Sequence, residues 1–221
     1  MKKLITSGCS YTQYGYKTWA DHLSKYFDEF KNLGEAGSGQ KFSYITITDY
    51  INLNKNKDLS NHTFIIQWSS LLRHDLIKVR STYQHLGQID NNENFNEEYI
   101  NKYFSVEGNA IELVNYIDHL NLLSDKYKFK LYMFYMFEPW IDYFAGEPTG
   151  YSLPILRKKT IEFLSSQSCK ILKHYASKEY WINPSLERFS LDNEMRKKGD
   201  DDHPTTEQHK KYANMILKKI L

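Results

Sequence analysis

Cysteine and long apolar runs are both scarce in this sequence. The two cysteines, Cys9 and Cys169, could form at most one bridge, which excludes a disulfide framework and fits a reducing compartment. No apolar run approaches the roughly 20 residues that span a bilayer. The apolar stretch after Met1 is also shorter than the roughly 7 to 15 residues of a signal-peptide core. We therefore expect a cytoplasmic protein without a membrane partner.

The chain also lacks an excess of charge of either sign. Its 29 basic and 27 acidic residues are scattered, and the formal net charge is +2. Without a basic patch to meet a phosphate backbone, no nucleic-acid partner is predicted. None of the eight histidines forms a His-x-x-x-His pair, and no tight Cys/His cluster is present. The sequence therefore predicts neither a metal nor another cofactor.

Short apolar runs alternate with longer stretches of helical periodicity. This alternation is typical of a parallel sheet covered by helices on both faces. We predict one domain over residues 1–221, folded as a three-layer α/β/α sandwich of the flavodoxin-like type with about five parallel strands. The predicted strands are Lys3 to Ser7, Phe30 to Leu33, Thr63 to Trp68, Lys130 to Phe137 and, more weakly, Tyr180 to Asn183.

The helices are predicted between these strands. One carries the apolar stripe of Trp19, Leu23 and Phe27. The others are predicted over Phe42 to Leu53, Ala110 to Tyr127, Leu156 to Tyr175, and from the capping box at Thr205 onwards. The polar segment 74–108 has only weak periodicity, so it is predicted to be an inserted loop or lid.

Ser10 directly follows the first predicted strand, within Gly8-Cys9-Ser10. Open α/β sheets carry their sites at the carboxyl ends of strands. A serine there could be a nucleophile, or it could simply close a turn. Cys9 is a rival nucleophile, but neighbouring residues on an extended strand point to opposite faces, which favours burial for Cys9.

A histidine preceded by three aspartates lies just before the last predicted helix, at His203. A carboxylate near the imidazole can fix its tautomer and stabilise its protonated form, as the general base of a serine nucleophile requires. The alternative is a solvated acidic loop. Asp200, Asp201 and Asp202 all compete for the role of the acid.

Glycines follow the second predicted strand in the segment Gly34-Glu35-Ala36-Gly37-Ser38-Gly39. Glycine at such a turn lets a backbone N–H approach a ligand closely, which suits an oxyanion. The spacing also loosely suggests a dinucleotide-binding loop, and a plain turn is a further alternative.

The order of these three blocks resembles that of the SGNH hydrolases, also called GDSL-type esterases and lipases. Gly8-Cys9-Ser10 is similar to the family's Gly-Asp-Ser block, and Asp200 with His203 is similar to its final Asp-x-x-His block. The Gly-Cys-Ser variant resembles members from bacteria and their phages. The resemblance implies that Ser10, Asp200 and His203 form a catalytic triad, and that Ser10 and Gly37 donate backbone N–H groups to the oxyanion.

One block departs from the family pattern. After the third strand the family usually carries Gly-x-Asn-Asp, whose asparagine completes the oxyanion hole, whereas this sequence has Ser69 at that position. A hydroxyl can still donate, but the loss of one oxyanion donor can cost roughly a hundredfold in rate. Trp68, Arg73 and His74 flank this position, so they are candidates for contacting the substrate, and Arg73 and His74 could bind an anionic group.

The predicted activity is hydrolysis of a carboxylic ester, such as an O-acetyl group on a carbohydrate, through a covalent acyl-enzyme. Three alternatives remain at this stage. The chain could be an inactive protein of the same fold that binds a carbohydrate through the aromatic region Phe137 to Tyr151. It could instead be a nucleotide-binding protein that uses Gly34 to Gly39, or an O-acyltransferase that uses the same triad.

Overall fold

The computed structural model describes residues 1–78, 82–88, 97–140, 154–192 and 203–221. Its strands are β1 (Lys3–Ser7), β2 (Glu29–Asn32), β3 (His62–Trp68), β4 (Arg73–Lys78), β5 (Thr82–Gln88) and β6 (Lys130–Tyr135). Its helices are α1 (Trp19–Ser24), α2 (Gln40–Asn54), α3 (Glu97–Tyr103), α4 (Val106–Tyr127), α5 (Pro154–Leu164), α6 (Gln167–Ala176), α7 (Leu186–Asp192) and α8 (Thr206–Ile220). No helix within these ranges is long and apolar enough to cross a membrane.

The main sheet has the strand order β2-β1-β3-β6, and all its pairs are parallel. Every residue of β3 is buried, as expected for a central strand covered on both faces. The weakly predicted strand at Tyr180 to Asn183 is reduced to one parallel bridge, between Trp181 and Met133 of β6. The sheet therefore has four full strands, and this bridge lies where a fifth was expected.

Side chains on the two faces of the sheet enter two separate hydrophobic clusters. Ile5, Phe64 and Met133 pack with the buried stripes of α2, α4 and α6. Their sequence neighbours Leu4, Ile65 and Phe134 pack with α1 and α8 on the other face. This alternation follows from the two-residue period of a strand. The three-layer α/β/α architecture predicted from the sequence is confirmed.

Two helix predictions need correction. The apolar stripe of α1 was expected to include Phe27, but the helix ends at Ser24. The single helix predicted over Leu156 to Tyr175 is two helices, because Ser166 caps a new start by accepting a hydrogen bond from the Cys169 N–H. By contrast, α8 begins at the capping box of Thr205, as predicted.

The segment predicted as a loop or lid contains regular structure. β4 and β5 pair as an antiparallel hairpin, and α3 follows. Residues 79–81 and 89–96 of this segment lie outside the described residues, as does most of the aromatic region Phe137 to Tyr151. The buried Asp75 of β4 accepts hydrogen bonds from the N–H groups of Gly39 (2.7 Å) and Phe42 (2.9 Å), so the hairpin caps the start of α2.

Candidate active site

Ser10 lies in a tight turn that leaves the carboxyl end of β1. The N–H groups of Thr12 and Gln13 both donate to the Cys9 carbonyl, at 2.8 and 3.0 Å. Gly8 enters this turn with φ +156°, and a Cβ at Gly8 would lie 2.3 Å from Thr12 Oγ1. A larger residue does not fit there. The turn therefore depends on glycine, and it holds Ser10 with 4% of its surface exposed.

Gln67 of β3 supports this turn from below. Its side-chain oxygen accepts hydrogen bonds from the Cys9 N–H (3.3 Å), the Cys9 thiol (3.3 Å) and the Thr12 hydroxyl (3.1 Å). Cys9 is fully buried, and its sulfur also contacts Met136 Sδ at 3.4 Å. These contacts assign Cys9 to the interior, so Ser10 is the better candidate nucleophile.

His203 approaches Ser10 from the other end of the chain. Its Nε2 lies 2.8 Å from Ser10 Oγ, within hydrogen-bond reach. Pro204 and the capped start of α8 follow directly, so the imidazole is anchored to the first turn of that helix. The structure thus brings together the two residues of the predicted dyad. Asp200, Asp201 and Asp202 lie outside the described residues, and the triad acid remains a prediction.

The loop after β2 lies against the turn that carries Ser10. The Gly8 carbonyl accepts hydrogen bonds from the Glu35 N–H (2.9 Å) and the Ser38 hydroxyl (3.0 Å). Gly37 has φ +84°, a conformation that favours glycine. Among the hydrogen bonds of the described residues, none uses the N–H of Ser10 or of Gly37. Both N–H groups are therefore unused by other described residues, and their role as oxyanion donors stays a prediction.

Ser69 ties the loop after β3 to the loop after β2. Its hydroxyl donates to the Ser38 carbonyl at 2.8 Å, and the side chain is 2% exposed. Arg73 Nη1 donates to the same carbonyl at 3.2 Å. Because a hydroxyl has one proton, Ser69 would have to rotate away from Ser38 to serve an oxyanion. In the observed orientation its hydroxyl holds the loop together.

The three substrate-contact candidates lie in different surroundings. Trp68 is fully buried in the hydrophobic cluster of α2, α4 and α6, and the prediction that it contacts the substrate is wrong. Its ring belongs to the core because Trp68 ends a strand that is buried on both faces. Arg73 and His74 are half-buried at the start of β4, and Arg73 is joined to Ser38 next to Gly37.

The start of α2 is already occupied by a carboxylate. A nucleotide phosphate bound by the loop Gly34 to Gly39 would use the N–H groups at this helix terminus. In the structure Asp75 takes the N–H groups of Gly39 and Phe42, and an added Cβ on Gly39 would lie 2.8 Å from its Oδ2. A phosphate would meet a buried negative charge there, which argues against the nucleotide-binding alternative.

Aromatic residues that no sequence pattern predicted surround His203. Tyr14 stacks on the imidazole with ring centroids 4.5 Å apart and an interplanar angle of 18°. The Tyr11 ring meets the imidazole edge-on at 5.4 Å. The Tyr16 hydroxyl donates to the Pro204 carbonyl at 2.8 Å. Three tyrosines follow within six residues of Ser10 in the sequence, but the chain has 18 tyrosines, so this local cluster did not stand out.

His209 lies beneath this aromatic group and is fully buried. Its Nδ1 accepts a hydrogen bond from the Trp19 N–H at 3.2 Å, which joins α8 to α1. Burial, with smaller contributions from the charges of His22 and His203, lowers the pKa of His209 to about 3. The ring is therefore neutral at pH 7 and acts as a fixed acceptor. Among the described residues, no group of three His, Cys, Asp or Glu is arranged to hold a metal ion.

Solved structures with a similar fold are found by structural comparison. A member of the lipolytic G-D-S-L family from Veillonella parvula DSM 2008 aligns over 99% of this chain and 97% of its own, with a TM-score of 0.54 and 13% identity. The YxiM protein from Bacillus subtilis aligns over 99% of this chain and 55% of its own, with a TM-score of 0.52 and 10% identity. No protein-family model and no curated protein matches the sequence. At these identities the likeness concerns the fold: the chain has the α/β fold of a lipolytic G-D-S-L family protein.

Proposed function

We propose that the chain is a serine esterase in which Ser10 attacks the carbonyl carbon of a carboxylic ester and His203 is the general base. The observation that carries this proposal is the 2.8 Å contact between Ser10 Oγ and His203 Nε2. That contact joins residues 193 positions apart, at the edge of the sheet where open α/β folds carry their sites. The fold of a lipolytic G-D-S-L family protein supports the same reaction class.

The proposed reaction has two halves. In the first, His203 takes the Ser10 hydroxyl proton as Oγ bonds to the acyl carbon, and then gives it to the departing alcohol. This leaves an acyl-enzyme on Ser10. In the second half, His203 takes a proton from water, the resulting hydroxide attacks the acyl carbon, and Ser10 recovers its proton as the acid leaves. Asp200 is proposed to orient His203 and to stabilise its protonated form.

The oxyanion of each tetrahedral intermediate is proposed to accept hydrogen bonds from the backbone N–H groups of Ser10 and Gly37. Both groups are unused among the described residues. Ser69 would add a third donor only if its hydroxyl turned away from the Ser38 carbonyl. With two donors we expect a slow esterase, because one missing oxyanion donor costs about a hundredfold or more in rate.

The proposed substrate is a small-molecule or carbohydrate ester, including O-acetylated sugars. Arg73 and His74 are proposed to lie along its path, since Arg73 is anchored beside Gly37 through Ser38. The Ser69 geometry favours one second candidate, a protein of this fold that binds its ligand without turnover. Transfer of the acyl group to an added alcohol would instead identify an O-acyltransferase.

Hydrolysis of p-nitrophenyl acetate tests the proposal. We expect turnover by the wild type and a loss of about a thousandfold or more in kcat for Ser10→Ala and for His203→Ala, because each removes a member of the dyad. The matched controls Ser165→Ala and His174→Ala change exposed residues and should retain full activity. Circular dichroism checks that all four variants are folded.

Undiminished hydrolysis by Ser10→Ala would remove Ser10 from the proposed role. If the folded wild type turns over no acetyl, butyryl or sugar ester, the binding protein becomes the better account. A shift in the thermal unfolding midpoint on addition of an acetylated oligosaccharide would then measure that binding.

A further inference from the structure

The loop between β1 and α1 supplies three tyrosines to the surroundings of His203. Tyr14 covers one face of the imidazole, with centroids 4.5 Å apart and planes 18° from parallel. Tyr14 also packs edge-on against Tyr16 at 4.9 Å, and the Tyr16 hydroxyl holds the Pro204 carbonyl next to the imidazole. Tyr14 is 37% exposed, so burial of its ring in the core does not explain why the ring lies against His203.

We propose that Tyr14 is a positioning residue that holds the imidazole of His203 towards Ser10 and stabilises its protonated form through the face of the phenol ring. This inference rests on the proposed esterase function, in which His203 becomes positively charged at each proton transfer. It adds a residue that belongs to none of the sequence blocks resembling those of the SGNH hydrolases.

The physical basis is the quadrupole of an aromatic ring, which is negative on its face. A cation within about 6 Å of the ring centroid is attracted to that face, and neutral imidazole gains less. The stacked geometry therefore stabilises the imidazolium more than the imidazole. Since the imidazolium develops as Ser10 attacks, Tyr14 should speed the chemical step more than it changes substrate binding.

Several other titratable groups face His203 from the elements packed around it. Ser10 and Tyr11 lie on the same loop as Tyr14, and the Tyr11 hydroxyl donates to Glu187 Oε2 of α7 at 3.3 Å. His209 of α8 interacts with His203 through its charge, but burial lowers the pKa of His209 to about 3 and keeps it neutral. All of these groups remain in a Tyr14 variant, so a change in the titration of His203 can be assigned to the lost ring.

The test compares the pH dependence of kcat/KM for p-nitrophenyl acetate in Tyr14→Leu, Tyr14→Phe and the wild type. Leucine keeps an apolar cover but has no π face. We expect Tyr14→Leu to move the midpoint of the acid limb to lower pH by roughly half a unit and to lower kcat by about twofold to fivefold, with KM nearly unchanged. Tyr14→Phe should keep the wild-type midpoint and kcat, because phenylalanine retains the π face. The control Tyr26→Leu changes a tyrosine of similar exposure (41%) and should also match the wild type.

A second measurement does not depend on turnover. The His203 ring proton is followed by NMR across the pH range in a Ser10→Ala background, and its signal is identified by its absence in His203→Asn. Adding Tyr14→Leu should move the midpoint of that titration down by the same half unit. An unmoved midpoint overturns the inference, whatever the activity. Absence of turnover in the wild type overturns the proposed function, and the NMR midpoint then still decides the role of Tyr14.

Discussion

At the scale of single residues, Gly8 limits which side chains the turn that carries Ser10 can hold. A side chain there would meet Thr12 Oγ1 at 2.3 Å and Gln67 Cβ at 2.9 Å, and its φ of +156° disfavours other residues. Both neighbours are held by buried hydrogen bonds and cannot retreat freely. The turn that carries Ser10 therefore requires glycine at this position for two reasons: there is no room for a Cβ, and other residues rarely adopt this φ.

We predict that Gly8→Ala destabilises the protein by about 2 to 4 kcal/mol, through backbone strain and overpacking together. Ester hydrolysis should fall as well, because the turn carries Ser10. Gly15→Ala is the matched control, since an added Cβ there has no atom within 4 Å, and it should change stability by less than about 0.5 kcal/mol. Urea unfolding measures both variants. Equal stability of the two would show that the Gly8 turn can relax.

Residues with distant partners were the hardest to predict. Ser10 and His203 were predicted together because their blocks resemble those of the SGNH hydrolases in type and order. The role of Gln67 was not predicted, although a polar side chain in a fully buried strand indicates that it has a buried hydrogen-bond partner. Its partners, Cys9 and Thr12, lie 58 and 55 residues away and have no pattern that links them to it.

At the scale of elements, local signals predicted most of the main sheet and its helices. β1, β2, β3, β6, α2, α4 and α8 lie within a few residues of their predicted ranges, because each has an apolar period or a cap in its own sequence. The hairpin of β4 and β5 was missed because its few apolar residues, such as Leu76 and Tyr83, do not alternate regularly with polar ones. Strand formation in such a segment depends on its cross-strand partners, which local periodicity does not reveal.

The cap of α2 shows the same limit at a helix end. Gly39 has no side chain to cap the helix, and in the sequence the glycines from Gly34 to Gly39 only loosely suggest a dinucleotide-binding loop. In the fold, Asp75 arrives from β4 and takes two of its N–H groups. A cap supplied from 36 residues away is a tertiary contact, and for that reason the nucleotide-binding alternative could be judged only from the structure.

At the scale of the whole molecule, one buried histidine links stability to pH. His209 joins α1 to α8 as a neutral acceptor, with its pKa lowered from 6.5 to about 3 by burial. In the unfolded chain the same group takes up a proton as the pH falls below 6.5, whereas in the folded chain it stays neutral. The stability that His209 contributes is therefore complete above pH 6.5 and is lost progressively between pH 6.5 and about 3.

We predict that His209 alone lowers the free energy of unfolding by about 2 kcal/mol between pH 7.5 and pH 5. Urea unfolding at the two pH values measures this loss. His209→Asn removes the titrating group and keeps an acceptor near the position of Nδ1. Between pH 7.5 and pH 5 this variant should therefore lose about 2 kcal/mol less of its free energy of unfolding than the wild type. The exposed His174→Asn should behave as the wild type. An unchanged pH dependence in His209→Asn would contradict the assigned cause.

The fold brings the two ends of the chain together at one edge of the sheet. β1 is the second strand in the order, and α8 packs against α1 on one face of the sheet. The loop that follows β1 and carries Ser10 therefore meets the segment that precedes α8 and carries His203. The contact between Ser10 and His203 is a product of this topology. The proposed esterase activity depends on activation of the Ser10 hydroxyl by that contact.

Covalent labelling with a fluorophosphonate, followed by intact mass and peptide mapping, tests this claim most directly. We predict one adduct per chain, on the peptide that contains Ser10, and strongly slowed labelling in His203→Ala because the hydroxyl then has no base. Labelling that maps to another residue, or that proceeds at the same rate without the imidazole, would contradict the account.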